Sequence, residues 1–342
     1  MRPLPRLLVS ASLFPAFFPA VAQSPAATPY RYIRVGNPTG AVIKPRAGYA
    51  LMGGGKDLDE AFQWLCERAK GGDFLVLRAT GTDAYNPYIQ GLCKLNSVAT
   101  LIVPTKEAAE DPFVAQAIAH AGALFIAGGD QANYVNFWMG TPVQTALNDA
   151  VRRGVPIGGT SAGLAVMGEY AYSAQGDMPN DKDLDGKTAL ADPWNPRVTL
   201  VRGFLQIPLL GNVITDTHFA KRDRMGRLLV FLARLNEPKG YPPVVSLEPV
   251  RGIGVDEGAA VLLESNGKAK VAGRGNVYFL EPPFLKGELE HNRPLDLGTV
   301  AVQRVAPGGN FNLKNWRGDS TRYTLAVQAG VVHSTQSGGT IY

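Results

Sequence analysis

Between Val155 and Gly163 the chain reads Val-Pro-Ile-Gly-Gly-Thr-Ser-Ala-Gly, an apolar strand running straight into Gly-x-Ser-x-Gly and then a short helix. A serine on so sharp a strand-to-helix turn has its hydroxyl lifted clear of the sheet. Gly159 and Gly163 remove the Cβ atoms that would clash in the bend. The next N–H, on Ala162, lies at the start of the new helix and points where an oxyanion would form. Ser161 is therefore a candidate nucleophile. The five residues alone also describe a glycine-rich turn with a helix-capping serine, so the flanks must decide.

On both sides, short apolar runs alternate with amphipathic stretches. Tyr49 to Met52 reads as a strand entering Gly53-Gly-Gly55, followed by a helix from Leu58 to Ala69. Phe74 to Leu77, Val98 to Val103 and Leu124 to Ala127 read as further strands, the last ending in Gly128-Gly129-Asp130-Gln131. A helix over Thr141 to Arg153 leads to the strand before Ser161. This alternation predicts an α/β fold, a doubly wound, mostly parallel sheet whose sites gather at the carboxyl ends of its strands. Asn212 to Thr215 continues the strand series, and Met225 to Leu235 is helical. From about Val244 onward short strands follow (Gly252 to Val255, Ala259 to Leu263, Lys268 to Ala272, Val277 to Leu280, and a tail from Thr299). They read as C-terminal antiparallel β structure added to the main sheet. Gly53-Gly-Gly55 lacks the Lys-Ser/Thr of a phosphate loop and reads as a tight turn. The polar stretch from Asp177 to Arg197 reads as a long surface loop over the site end.

A chain of 342 residues, 45% hydrophobic and 18% charged, suffices for one large α/β domain or two smaller ones. Arg2 and Arg6 precede an apolar run from Leu7 to Phe18, and Ala20-Val21-Ala22 follows as a small-x-small site. Residues 1–22 thus read as a secretory signal cleaved before Gln23, which predicts a secreted or periplasmic protein. Residues 23–45, rich in Pro, Ala and Gly, read as a flexible lead-in, 46–282 as the catalytic domain, and 283–342 as a β-rich extension. Without Arg2 and Arg6 the formal charge falls from +5 to +3, with basic residues too scattered for nucleic acid or a membrane surface. The later chain has no apolar stretch long enough to span a bilayer. Cys66 and Cys93, the two cysteines, fit one bridge or two free thiols equally well. They have no nearby ligand residues that would suggest zinc.

A serine nucleophile needs a base, usually histidine. Of the four histidines, His120 falls in a helix, His291 in a polar turn and His333 in the tail. His218 closes the strand Asn212-Val-Ile-Thr215 within Asp216-Thr-His218-Phe219, so it would emerge at the same sheet edge as Ser161. The acid that orients the base is open among Asp177, Asp181, Asp183, Asp185, Asp192 and Asp216. Gly129 N–H is the natural second oxyanion donor beside Ala162, and Gln131 could orient substrate. In Arg222-Asp-Arg224-Met-Gly-Arg227, cations at a helix start suit recognition of a substrate carboxylate. Internal salt bridges to Asp223 or Glu169 are the equal alternative.

Taken together, these residues resemble the cyanophycinase and dipeptidase E group of serine peptidases, family S51. The matching segments are Phe125-Ile-Ala-Gly-Gly-Asp-Gln131, Gly159-Thr-Ser-Ala-Gly163, Val213-Ile-Thr-Asp-Thr-His-Phe219, Arg222-x-Arg-x-x-Arg227 and Gly252-Ile-Gly-Val-Asp-Glu257. Gly-Thr-Ser-Ala-Gly followed by Asp-x-His-Phe-x-x-Arg is especially close to the cyanophycinase branch. The resemblance implies a Ser–His–acid hydrolase on a sheet of the class I glutamine amidotransferase type, needing no metal or organic cofactor. It implies Ser161 as nucleophile, His218 as base, Gly129 and Ala162 as oxyanion donors, and Gln131, Arg222, Arg224 and Arg227 in the substrate pocket. Asp177, which precedes Met178-Pro179 as in the dipeptidase branch, is the implied acid, with Asp181 and Asp183 as alternatives. The implied partner is a peptide or isopeptide substrate such as a β-aspartyl-arginine bond, and a homodimer is left open. Competing readings are an α/β-hydrolase esterase, which would place its base nearer the chain end at His291 or His333, and a non-catalytic peptide-binding protein.

Overall fold

A computed structural model describes residues 28–176, 183–238, 248–285 and 287–342. Five strands lie side by side and parallel in the order Ser97–Ile102, Asp73–Arg78, Ala123–Ile126, Ile157–Thr160, Gly48–Met52. Their near-continuous apolar runs are buried throughout, as parallel strands covered on both faces must be. Alternation along each strand sorts the side chains into two cores. Phe74, Val76 and Phe125 point to one face, under Phe62 and Leu65 of the helix Asp59–Ala69. Leu75, Leu77, Leu124 and Ile126 point to the other, under Trp138 of the helix Gln131–Trp138 and Leu147 of the helix Pro142–Arg152. The last of these starts where the Thr141 hydroxyl accepts from Val143 N–H and Pro142 takes the first helical position.

Antiparallel strands close both edges of this sheet. Ala259–Glu264, Lys268–Gly273, Asn310–Asn312 and Arg317–Gly318 extend it beyond Gly48–Met52. At the opposite edge Arg31–Gly36 pairs with Ser97–Ile102. The lead-in expected over 23–45 is therefore partly a strand, pinned where Asp73 accepts from Arg34 and from Ala41 N–H. Its Pro and Gly neighbours conceal it, because its partner lies far away in sequence.

A second sheet runs Val331–Ser334, Thr321–Gln328, Leu297–Val305, Val277–Glu281, Arg251–Val255, Val213–Asp216, Tyr170–Tyr172, Leu200–Arg202. Strand Val213–Asp216, expected in the main sheet, belongs here, parallel to Arg251–Val255. One face of the second sheet packs on the helix Met225–Asn236, buried along its whole length. From the other face Ile253, Val255, Val277 and Phe279 enter the same core as the main sheet. Residues beyond 283 are thus shared between both sheets rather than packed beside one. Cys66 and Cys93 form a disulfide joining the helix Asp59–Ala69 to the end of the helix Tyr85–Leu92. Among the described residues no helix is long and apolar enough to cross a membrane. Residues 1–22 lie outside the described residues.

Candidate active site

The strand Ile157–Thr160 stops at Ser161, whose φ of 52° and ψ of −120° turn the chain abruptly into the helix Ala162–Ala165. A Cβ on Gly163 would lie 2.0 Å from the Ile126 carbonyl oxygen, so only glycine lets the new helix sit this close to the neighbouring strand. Ser161 N–H donates to Met52 O at 3.1 Å, fixing the bend to the adjacent strand end.

His218 arrives from the other sheet. Thr215, at the end of its strand, donates its hydroxyl to Leu164 O at 2.8 Å, and His218 N–H donates to Gly53 O at 2.7 Å. The imidazole is thereby delivered to the elbow: Ser161 Oγ–H donates to His218 Nε2 at 2.7 Å. On the far side of the ring Nδ1–H donates to Glu257 Oε1 at 2.6 Å. Glu257 stands where the chain crosses between sheets, just after Arg251–Val255 of the second and just before Ala259–Glu264 of the first. Gly258 N–H donates to Gly54 O at 3.0 Å, and the Asp256 carboxylate accepts from Ala220 and Asn276 N–H, so this crossover is held on both flanks.

Burial lowers the His218 pKa below its ordinary value, and the charges of Arg222 and Arg224 lower it further, against the opposing pull of Glu257. The bond to His218 holds Glu257 below the usual carboxylate range. The resting state is a neutral imidazole beside an ionised carboxylate. With its proton on Nδ1, Nε2 is free to take the serine proton, and Glu257 is placed to stabilise the imidazolium that results.

The glycine turn Gly128-Gly129 lies against the elbow, a Cβ on Gly128 falling 3.4 Å from Ser161 Cβ. Ala162 N–H is the first of a helix, where no intrahelical acceptor exists. Gln131 opens its helix in the same turn, with Asp130 as N-cap. Among the described residues no three His, Cys, Asp or Glu side chains gather to hold a metal ion.

The three arginines separate. Arg227 is buried and bidentate to Asp216, at 2.8 and 2.6 Å, with its remaining nitrogen on Leu184 O. Its side chain is only 2% exposed and bonds Asp216 and Leu184 inside the protein. Arg224 is also buried, on Thr217 O and Oγ1 and on Asp183. Arg222 is 45% exposed, shares Asp183 at 2.7 Å and follows His218 by one helical-type turn, its N–H donating to His218 O. It is the one of the three that is open to solvent. The partners are Asp216 and Asp183, not the Asp223 or Glu169 weighed from sequence; Glu169 pairs with Arg202.

Asp177 and Asp181 lie outside the described residues. The single hydrogen on His218 Nδ1 goes to Glu257, and Asp183 is committed to Arg222 and Arg224. Glu257 sits in the segment Gly252-Ile-Gly-Val-Asp-Glu257 that sequence reading noticed without giving it a role. The available signal was its position, directly after a strand at the site end. Gly53-Gly-Gly55 was likewise read only as a turn. A Cβ on Gly54, φ 92°, would fall 2.5 Å from the His218 ring, so its absence makes room for the imidazole. His291 stacks on Trp194, and His333 lies in the strand Val331–Ser334, both away from Ser161.

The family model for Peptidase family S51 matches residues 56–199, which hold Ser161, Gly129 and Gln131 but stop short of His218 and Glu257. A cyanophycinase of Trichormus variabilis is 30% identical over 224 residues, covering 63% of this chain and 65% of that protein. The chain therefore spans just under two thirds of that relative's length. A cyanophycinase of Geminocystis herdmanii is 30% identical over 212 residues, covering 60% of this chain and 67% of that protein. The crystal structure of a peptidase from an acI-B1 Actinobacterium superposes with a TM-score of 0.50 at 17% identity, over 79% of this chain and 98% of that one, a likeness of fold.

Proposed function

Because this chain belongs to peptidase family S51, we propose that it is a serine peptidase of cyanophycinase type, cleaving β-aspartyl-arginine or related aspartyl isopeptide bonds. The observation that carries this reading is the unbroken line Ser161 Oγ, His218 Nε2, His218 Nδ1, Glu257 Oε1, with contacts of 2.7 and 2.6 Å. Ser161 attacks the substrate carbonyl while His218 takes its proton. The tetrahedral oxyanion is held by the N–H groups of Ala162 and Gly129. His218 returns the proton to the leaving amine, and water releases the acyl group by the same steps in reverse order. Arg222 is the residue we assign to a substrate carboxylate and Gln131 to substrate orientation, while Arg224 and Arg227 shape the loop that carries His218.

The five parallel strands with helices on both faces support a doubly wound sheet of the class I glutamine amidotransferase type. The strands Ala259–Glu264, Lys268–Gly273, Asn310–Asn312 and Arg317–Gly318 then form its antiparallel addition. We further propose export, supported by the charge and hydropathy pattern of residues 1–22 and by the Cys66–Cys93 bridge, a bond that persists in oxidising compartments. The base of an esterase reading, His291 or His333, is not at the elbow, and the acid missing from a catalytic reading has a candidate in Glu257. Incubation with cyanophycin, followed by mass spectrometry for β-aspartyl-arginine, tests the proposal. Release that vanishes in Ser161→Ala is expected; release that persists in the variant, or none from folded wild-type protein, contradicts it.

A further inference from the structure

The loop between the strand Val213–Asp216 and the helix Met225–Asn236 carries His218. It is closed on itself by backbone bonds from Arg222 N–H to His218 O, Asp223 N–H to Ala220 O and Arg224 N–H to Phe219 O. His218 and Asp223 both take a φ of 48°, so the loop keeps its shape only where its surroundings impose it. On one side the crossover at Glu257 does so: Phe219 N–H donates to Val255 O, and Ala220 N–H to the Asp256 carboxylate. The other side is held by a residue far away in sequence.

That residue is Tyr342. Its hydroxyl accepts from Met225 N–H at 2.9 Å and donates to Asp223 Oδ1 at 2.9 Å. Met225 N–H opens the helix and has no intrahelical acceptor, and Arg224 at the N-cap has no side-chain oxygen to offer. The Tyr342 hydroxyl supplies what the cap lacks, and the same oxygen ties down Asp223 at its strained φ. The ring adds packing. It meets Phe219, the neighbour of His218, edge-on at 5.9 Å and Tyr278 edge-on at 5.8 Å, while Phe219 and Tyr278 lie 5.3 Å apart. Phe219 is fully buried in this cluster, against Gly254, on which a Cβ would fall 2.5 Å from the Phe219 ring. Tyr342 is itself anchored. Tyr323 of the strand Thr321–Gln328 donates its hydroxyl to Ile341 O at 2.9 Å, and the Gln336 side-chain amide donates to Thr340 O at 2.8 Å. Burial raises the Tyr342 pKa, so the hydroxyl keeps the proton it donates. Residues beyond 283 thus reach the loop that carries the proposed base, which their reading as an extension does not anticipate.

We infer that Tyr342 is a positioning residue for His218: by bridging Asp223 to Met225 N–H it closes the loop that holds the imidazole against Ser161. The inference rests on the peptidase reading for what His218 does, so its test has one readout that needs a reactive serine and one that does not. The first is the rate at which a fluorophosphonate labels Ser161. The second is the NMR resonance of the His218 Nδ1 proton in protein carrying isotope-labelled histidine, which reports the bond to Glu257. Tyr342→Phe removes the hydroxyl and keeps the ring. It should slow labelling about tenfold, short of the roughly 100-fold that a full ångström of misplacement costs, and should shift or broaden the resonance. Asp223 is exposed, and Asp223→Ala gives a second variant that should also label slowly. The double variant should be no slower than Tyr342→Phe alone, because both changes break one bond. A wild-type labelling rate or an unmoved resonance in Tyr342→Phe overturns the positioning role, as does a double variant whose loss is the product of the two single losses. Folded wild-type protein that is not labelled overturns the peptidase reading instead, and the resonance then decides the positioning by itself.

Discussion

Ser161 at φ 52° and His218 at φ 48° are both non-glycine residues in left-handed backbone conformations, at the two ends of one hydrogen bond. Each such residue costs on the order of 1–3 kcal/mol, and such strain persists where the surrounding structure over-determines it. Here the surroundings are explicit: Ser161 N–H on Met52 O and His218 N–H on Gly53 O tie both residues to one strand end. The electrostatics have a measurable consequence. Because the His218 pKa is lowered, the neutral base persists below pH 6.5, and kcat/KM should fall only as pH drops through a midpoint under that value. Arg222 is one cause of the lowering, so Arg222→Gln should move the acidic midpoint upward. A pH–rate profile of the two proteins reads this, and an unchanged or lower midpoint would contradict it. At this scale the hydrogen-bonded pair Ser161 and His218, our proposed nucleophile and base, was legible in the sequence because each closes an apolar run. The proposed acid was not: the candidates were aspartates between 177 and 216, and Glu257 meets Nδ1 only through the crossover between sheets, which no local pattern announces.

The elements show the same division. The parallel strands and their helices follow from local periodicity, and strand ends fell where apolar runs met glycine. What local pattern could not supply was partnership. Val213–Asp216 reads as one more strand of the main sheet, yet it pairs with Arg251–Val255, whose Gly252 and Gly254 leave room for Leu228, Leu232 and Phe219 beneath it. Arg31–Gly36 reads as a lead-in because its partner, Ser97–Ile102, is remote. The turn Gly53-Gly-Gly55 gains its meaning only when His218 and Glu257 are set against it. Gly54→Ala should therefore displace the imidazole, since the added Cβ would lie 2.5 Å from its ring atoms. A misplacement of this order lowers kcat/KM by about 100-fold. Unaltered circular dichroism with that loss is the expected result, and full activity would show that the ring has room to spare.

For the whole molecule, the candidate site is built where two sheets share a core: the proposed nucleophile comes from one, the proposed base from the other, and the proposed acid from the turn that joins them. Nothing in the composition announces this, since 45% hydrophobic residues fill two cores as readily as one. The pair Cys66–Cys93 could not be decided from sequence either, because bonding needs two helices brought together across a separation of 27 residues. Closing a loop of that length contributes about 3.5 kcal/mol by restricting the unfolded chain. Cys66→Ser with Cys93→Ser should lose stability of that order in denaturant unfolding while retaining activity, as the bridge joins the C-terminal parts of the two helices; lost activity in folded double variant would contradict this.

The hydrolytic line through Ser161, His218 and Glu257 is tested most directly by labelling with a fluorophosphonate, since the reaction needs no natural substrate. Peptide mapping should place the adduct on Ser161, and Glu257→Gln should slow labelling by roughly 10³- to 10⁴-fold, as loss of the acid does in serine–histidine hydrolases, while the protein stays folded. An adduct on another residue, or a labelling rate unchanged in Glu257→Gln, would contradict the account.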